Sequence, residues 1–259
     1  MAKTYNIELD FIKQHMKEAY SLFNTAREVA HKDSFDLVTD VDFAIEKYLS
    51  QKIQERFPDD KILGEELTKN YSWEGRVWTV DPIDGTVNFA NKIGIYGLQC
   101  SLVEDGDIKL GVIYLPKDGS FYWAIKGCGS FRNGEPIHTA SCTQLQDTIL
   151  SLGDFSHPNK QWFEQEQQLV HVFADKVAKI RIFGAACFDF AMLASGSTGA
   201  HIMFTTNAWD IYPGLIIAQE AGAVATNIKG ESYTLADGNL LVTANHQVAD
   251  EILSLIETI

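Results

Sequence analysis

The chain has 259 residues, enough for one large domain or two small ones, and its 46% hydrophobic and 22% charged content is that of an ordinary globular protein. A formal net charge of -14 argues against electrostatic binding of nucleic acid or of an anionic membrane surface. An anionic small molecule is compatible with it, because bound cations reverse the local sign.

Residues 6–30 are predicted as a long first helix, since Leu9, Ile12, Met16, Ala19, Tyr20 and Phe23 recur at spacings of three and four. The polar stretch His31 to Phe35 reads as a loop. Thr39 or Asp40 can cap a second helix whose face is Val41, Ile45, Tyr48, Leu49 and Ile53. Asp40 and Asp42 fall in its first turn, where the helix dipole favours acids. Phe57-Pro58-Asp59-Asp60 ends that helix, and Lys61 to Gly64 suggests a short strand closing on Glu65 and Glu66. Val77, Trp78 and Val80 form an apolar, β-prone run that ends at Asp81. Pro82 has no N–H and is expected to stop the strand there. Asp84 follows, then Gly85, which permits a backbone turn that a Cβ forbids, then Thr86, the expected N-cap of a helix from about Val87.

From Tyr96 to Ile137 the pattern alternates and is rich in turns. Strands are expected at Gly97 to Val103, Ile108 to Leu115 and Phe121 to Ile125. Glu104-Asp105-Gly106-Asp107, Lys117-Asp118-Gly119-Ser120 and Arg132-Asn133-Gly134-Glu135 are the hairpin turns of an antiparallel meander. Gly127-Cys128-Gly129 has no third glycine at dinucleotide-loop spacing and no helix behind it. In the second half, strands at Ile149 to Gly153, Ala178 to Phe183 and Ala200 to Phe204 alternate with helices at Asn159 to Ala174, Gly184 to Ala194 and Trp209 to Ala221. Short strands at Val224-Ala225, Ser232-Tyr233 and Leu240 to Thr243 precede a closing helix, Val248 to Ile256. Strand–helix alternation implies an α/β layer, and a meander set within it points to sheets layered between helices.

Residues Met1 to Asp10 include Glu8 and Asp10 and have no apolar core, so they do not read as a signal peptide. No apolar run approaches the roughly 18 residues of a membrane span. Cys100, Cys128, Cys142 and Cys187 are widely spaced and form no CxxC, as expected of reduced, mostly buried thiols in a cytoplasmic protein.

The acids that end strands or open helices are Asp42, Glu65, Asp81, Asp84 and Asp210, the last a plausible N-cap after Trp209. Carboxylate oxygens bind hard divalent cations. Two ions about 4 Å apart can clamp the attacking and leaving oxygens of a phosphoryl transfer, and exposed N–H groups at a helix start bind anions. An Asp-Pro…Asp-Gly cluster is also plain turn chemistry, and Asp40 and Asp42 are ordinary first-turn acids. No nucleophile with an adjacent histidine is apparent, so attack by metal-activated water is the economical mechanism.

The set Asp42, Gly64-Glu65-Glu66, Asp81-Pro82-Ile83-Asp84-Gly85-Thr86 and Trp209-Asp210 resembles the inositol monophosphatase family of Mg²⁺-dependent, lithium-sensitive phosphatases. The resemblance covers roughly residues 10–250. It implies a single chain with an α-β-α-β-α layered sandwich, a metal- and phosphate-binding half over about 1–145, an α/β half over 146–259, and a homodimer. It implies two to three Mg²⁺ ions and a small phosphorylated polyol or sugar as substrate. Glu65, Asp81 and the carbonyl of Ile83 would hold the first ion. Asp81, Asp84 and Asp210 would hold the second, and Glu65 would help place a third through water. Thr86 with Asp42 would orient and deprotonate the attacking water. The amides of Gly85 and Thr86 would cradle the phosphate. Asp84 and the backbone of Ala186 would touch the leaving alcohol, with Asp154 as a further substrate contact.

Three positions depart from the family pattern. Ile211-Tyr212-Pro213-Gly214 follows Trp209-Asp210 where small residues are usual, with Pro213 expected in the first helical turn. Met203 stands where inositol-specific members often carry an acid, and a thioether is a weak acceptor. The family's lysine-bearing loop aligns loosely with His31-Lys32-Asp33. Fructose 1,6-bisphosphate, 3′-phosphoadenosine 5′-phosphate and NADP are therefore alternative substrates. A metal-binding regulatory or scaffold protein without turnover is the alternative of another class.

Overall fold

The first helix starts where its apolar spacing starts, but it is shorter than that spacing. In the computed structural model, which describes residues 4–25, 29–31, 37–67, 72–142, 144–155 and 159–257, α1 is Asn6–Ala19 and tightens into a 3₁₀ turn over Tyr20–Thr25. Strand β1 (Val29–His31) follows and pairs antiparallel with β2 (Leu37–Thr39). Phe23 still packs with α1 against the core, so the apolar period outlasts the helix. Of the expected loop, His31 ends β1, and residues 32–35 lie outside the described residues, as do Lys32 and Asp33 of the loosely aligned lysine loop.

Helix α2 (Asp40–Arg56) is capped by Thr39, whose side chain and that of Asp42 form a reciprocal capping box. Strands β3 (Lys61–Gly64) and β4 (Arg76–Asp84) pair in parallel. β4 does not stop at Pro82. Its register with the next strand breaks between Asp81 and Asp84, so the missing N–H of Pro82 falls where the ladder is already interrupted. Helix α3 (Thr86–Ala90) is capped by Gly85 at φ +87°, not by Thr86, which is the first helical residue.

Strands β5 (Gly97–Glu104), β6 (Asp107–Leu115), β7 (Ser120–Ile125), β8 (Ser130–Arg132) and β9 (Glu135–Ile137) continue a seven-stranded sheet in sequence order. All its pairs except β3 with β4 are antiparallel. Asp105-Gly106 and Asn133-Gly134 both take positive φ at both positions, the geometry that matches strand twist in a tight hairpin.

The second sheet is built from β10 (Ile149–Leu152), β11 (Lys179–Ile182), β12 (Ala200–Met203), β13 (Val224–Thr226) and β14 (Leu240–Thr243), in the order β11-β10-β12-β14-β13. Ser232-Tyr233 is not a strand; Ser232 makes one isolated bridge to Thr226. Between the strands run α4 (Lys160–Phe173), α5 (Ala186–Ala194) and α6 (Ala208–Glu220), and α7 (His246–Ile256) closes the chain.

Three apolar layers hold these elements in an α-β-α-β-α order. One lies between α1, α2 and the seven-stranded sheet, around Ile12, Ile45, Trp78 and Leu102. A second joins that sheet's other face to α5, α6 and the second sheet, around Ile113, Phe190, Ile217 and Val242. A third lies between the second sheet and α4 and α7, around Leu150, Phe173 and Ile252. Helix α6 sits close to α5 and to β6 because the contact points are glycines. A Cβ on Gly214 would stand 2.2 Å from Phe190 Cγ, and one on Gly111 2.4 Å from the Pro213 carbonyl oxygen. Pro213 is the sixth residue of α6, beyond the first turn, and removes one interior helical bond. No described helix is long and apolar enough to cross a membrane. The four cysteines are free, but only Cys100 and Cys187 are buried; Cys128 is exposed.

Candidate active site

A cavity of about 590 Å³ opens where the ends of β3, β4 and β12 meet the starts of α3, α5 and α6. Its wall includes Glu65, Asp81, Ile83, Asp84, Gly85, Thr86, Asp154, Ala186, Met203 and Asp210. The chain thus brings every sequence-identified site residue except Asp42 onto one surface. Asp42 lies fully buried behind it and reaches it through Thr86, whose Oγ1 is 3.3 Å from Asp42 Oδ1. The same hydroxyl is 2.8 Å from the Ile83 carbonyl oxygen, and its single hydrogen serves one acceptor at a time. Asp42 Oδ2 accepts from Thr39 N–H at 2.8 Å and from Thr39 Oγ1 at 2.5 Å. Cap and site partner are therefore two faces of one carboxylate.

Local structure explains each placement. Glu65 follows Gly64, whose lack of a side chain makes room for Glu46 of α2: a Cβ would sit 1.9 Å from Glu46 Oε1. Glu46 is fully buried and accepts from Glu66 N–H at 2.6 Å and Leu67 N–H at 2.9 Å, which pins the turn that carries Glu65. Asp81 faces Gln99, its register partner on β5, which donates to Asp81 Oδ2 at 3.1 Å. Asp84 Oδ2 accepts from Cys187 N–H at the start of α5, and Ala186 N–H is directed to the same carboxylate. Asp84 thereby performs the anion role expected at a helix start. Asp210 is the third residue of α6, not its cap, which is Asn207. Asn207 Nδ2 and Thr205 Oγ1 donate to Asp210 Oδ2 at 3.0 and 3.3 Å. Asn88 of α3 donates to the carbonyls of Ile95 and Phe183 at 2.8 Å and so ties α3 to the segment ahead of α5.

The charge balance is one-sided. Six carboxylates line the cavity, and no lysine or arginine is among its described lining residues. Burial, followed by the neighbouring carboxylates of Glu65, Asp84 and Asp210, pushes Asp81 well above the usual carboxylate range. Burial likewise raises Asp84 and, with Glu65 and Asp84 beside it, Asp210. Asp81 Oδ1 is buried without a hydrogen-bond partner. Clustered buried carboxylates, one of their oxygens unpaired, with no lysine or arginine among the described lining residues fit a divalent ion held by oxygen donors. Among the described residues no three such side chains have converged as a finished ligand cluster. Like charges repel when nothing neutralises them, and the fold fixes the positions from which they would reach an ion.

Sequence reasoning missed two residues on this cavity and three behind it. Asp189 and His201 are on the wall, and Ser151 lies beneath them with its Oγ 2.9 Å from His201 Nδ1. Asn88 and Glu46 act as braces. The signal available was an acid inside Cys187-Phe188-Asp189-Phe190, a histidine inside Ala200-His201-Ile202-Met203 and an acid on the apolar face of α2: buried polar groups need partners.

The model of the inositol monophosphatase family matches residues 3–259. The chain is similar to an inositol-1-monophosphatase of Bacillus subtilis, 31% identical over 219 residues, which are 82% of this chain and 80% of that one. It is similar to the solved IMPase of Thermotoga maritima, with 27% identity, a TM-score of 0.88 and 97% of each chain covered. A structure of an IMPase/NADP phosphatase complexed with Mg²⁺ and phosphate is 25% identical, with a TM-score of 0.80 over 96% of this chain and 93% of the other.

Proposed function

This chain belongs to the inositol monophosphatase family and is a phosphoric monoester hydrolase, and we propose that it hydrolyses a small phosphorylated alcohol with two to three Mg²⁺ ions. The observation that carries the reading is the one-sided cavity: carboxylates from separate elements, the start of α3, and no lysine or arginine among the described lining residues. The Mg²⁺ and phosphate bound by the IMPase/NADP phosphatase support it.

Glu65, Asp81 and the Ile83 carbonyl would hold one ion, and Asp81, Asp84 and Asp210 another. Ions held there neutralise phosphate charge and acidify water. The first amides of α3, unpaired within the helix, receive phosphate oxygens at Gly85 and Thr86. Thr86 Oγ1 accepts from the attacking water while it donates to Asp42, whose far oxygen is anchored by Thr39. Asp84 and Ala186 face the leaving alcohol. Li⁺ would compete at the second ion's site. The cytoplasmic reading is supported by the four free cysteines. The homodimer rests on the resemblance, and sedimentation of the purified chain tests it.

The deciding experiment is phosphate release with Mg²⁺ from a phosphomonoester panel, in the wild type and in Asp84→Asn. The asparagine keeps an oxygen for Cys187 N–H, so α5 still starts in place, but it loses a metal-binding charge. Turnover should vanish with the circular dichroism spectrum intact. Full activity in Asp84→Asn would sink the site assignment.

A further inference from the structure

One wall of the cavity remains outside the metal and phosphate reading. It carries Asp189 on α5, His201 on β12 and, at the rim, Asp154. The Asp189 and His201 side chains are 2% and 0% exposed, and Nδ1 of the histidine lies 3.5 Å from Asp189 Oδ1. Asp189 Oδ1 and His201 Nε2 have no hydrogen-bond partner. A buried polar atom left unpaired costs stability unless a ligand meets it.

The hydrogen-bond order between them can be worked out. Burial pushes the Asp189 carboxyl well above the usual carboxylate range, and a hydrogen bond from Ser151 opposes that shift; in the ionised form, which an ammonium beside it would favour, the carboxylate only accepts. The single hydroxyl hydrogen of Ser151 is therefore spent on Asp189. Ser151 Oγ, 2.9 Å from His201 Nδ1, must then accept from Nδ1–H. That fixes the tautomer and leaves Nε2 as a bare lone pair. Burial lowers the His201 pKa to about 4, so the ring is neutral at pH 7. Two acceptors on residues of the cavity wall thus have no donor opposite them. A hydroxyl has one hydrogen and can satisfy only one of them; an ammonium has three hydrogens and no lone pair.

Charge points the same way. The ions would engage Glu65, Asp81, Asp84 and Asp210, which leaves Asp154 and Asp189 as the carboxylates on the alcohol side. A second phosphate there would meet two carboxylates and no cationic side chain among the described lining residues. We infer that the leaving alcohol carries an ammonium group, held by Asp189 and the Nε2 of His201, so that the substrate is an amino-alcohol phosphate rather than a neutral polyol phosphate or a bisphosphate. The inference rests on the phosphatase reading above and names the substrate class of that same site. Ser151 acts as a positioning residue through the histidine.

The test is a matched pair that differs at one atom: glycerol 1-phosphate and 2-amino-3-hydroxypropyl phosphate, each hydrolysed with Mg²⁺ at pH 7.5. The amine should be preferred in kcat/KM by about tenfold or more, the scale of a hydrogen bond to a charged group. Because a ratio is read, any general loss in a variant divides out. Asp189→Asn and His201→Phe should bring the ratio toward one. His201→Gln, whose side-chain oxygen can stand where Nε2 stood, should keep most of it. A wild-type ratio of one or less overturns the inference, and so does a preference that survives Asp189→Asn unchanged. If neither compound nor p-nitrophenyl phosphate is turned over, the phosphatase reading itself fails; turnover without preference removes only the ammonium.

Discussion

Glu46→Gln tests whether the site is held together from behind. Glu46 is buried in the middle of α2 and takes two backbone N–H bonds, from Glu66 at 2.6 Å and Leu67 at 2.9 Å, one on each carboxylate oxygen. Glutamine is the same size but turns one of those oxygens into an NH₂, so one amide then faces a donor. Losing one charge-assisted bond in a buried site costs roughly 1.5–3 kcal/mol. For a chain of this size that is a fall in Tm of about 4–8 °C, taking ~2 kcal/mol and the usual entropy of unfolding. The turn released is the one that carries Glu65, so the loss should also appear in metal binding. Residues that orient a ligand typically cost about 10–100-fold in metal affinity when changed. The half-saturating Mg²⁺ concentration for phosphate release should therefore rise at least about tenfold, with kcat largely restored at saturating Mg²⁺. A lowered Tm with an unchanged Mg²⁺ titration would make Glu46 a purely structural clamp. An unchanged Tm would refute the account of the two amides.

Thr86→Ala should lower kcat by about 10²-fold or more, the scale of general acid–base help, with KM little changed; an unchanged kcat removes Thr86 from water activation. Mg²⁺ should raise Tm more at pH 7.5 than at pH 5. Asp81, Asp84 and Asp210 all have raised folded-state pKa values, so their contribution to stability is fully present below the ordinary carboxylate pKa and is lost as pH rises through the raised values. A cation replaces that loss at neutral pH, whereas protons compete with it in acid; equal shifts at both pH values, read by thermal denaturation, would contradict the charge argument. Gly64→Ala should be strongly destabilising in the wild type, because its Cβ would overlap Glu46 Oε1 at 1.9 Å, and much less so in a Glu46→Ala background. Additive losses in that double-mutant cycle would show that the glycine serves some other constraint.

What could be read from sequence was whatever local chemistry decides. The paired positive-φ turns at Asp105-Gly106 and Asn133-Gly134 demand small or polar residues, so the meander announced itself. The acids at strand ends did so too, because the β4 segment carries Asp81 and Asp84 in one short motif. The errors came where a local rule met a tertiary circumstance. The apolar spacing of α1 runs on through Phe23 because Phe23 is buried, and burial does not distinguish an α-helix from a 3₁₀ turn. Pro82 stops a strand only if its N–H was needed, and the register break removed that need. Thr86 would cap well, but the αL conformation at Gly85 moved the helix start one residue earlier.

The residues that sequence reading missed have a common cause. Glu46, Asp189 and His201 are polar groups set in apolar strings, where periodicity counts them as noise. Each is fully or almost fully buried, and burial of a polar group is costly unless it is paired. Glu46 is paired by two amides and so works as a brace. Asp189 and His201 are paired on one side only, with Ser151 between them, and both residues line the cavity wall. The same physical rule therefore separates the two kinds: a satisfied buried acid positions the backbone, while a half-satisfied pair at a cavity wall awaits a partner from outside. That distinction needs coordinates, because neither residue type nor spacing tells which polar atom has been left over.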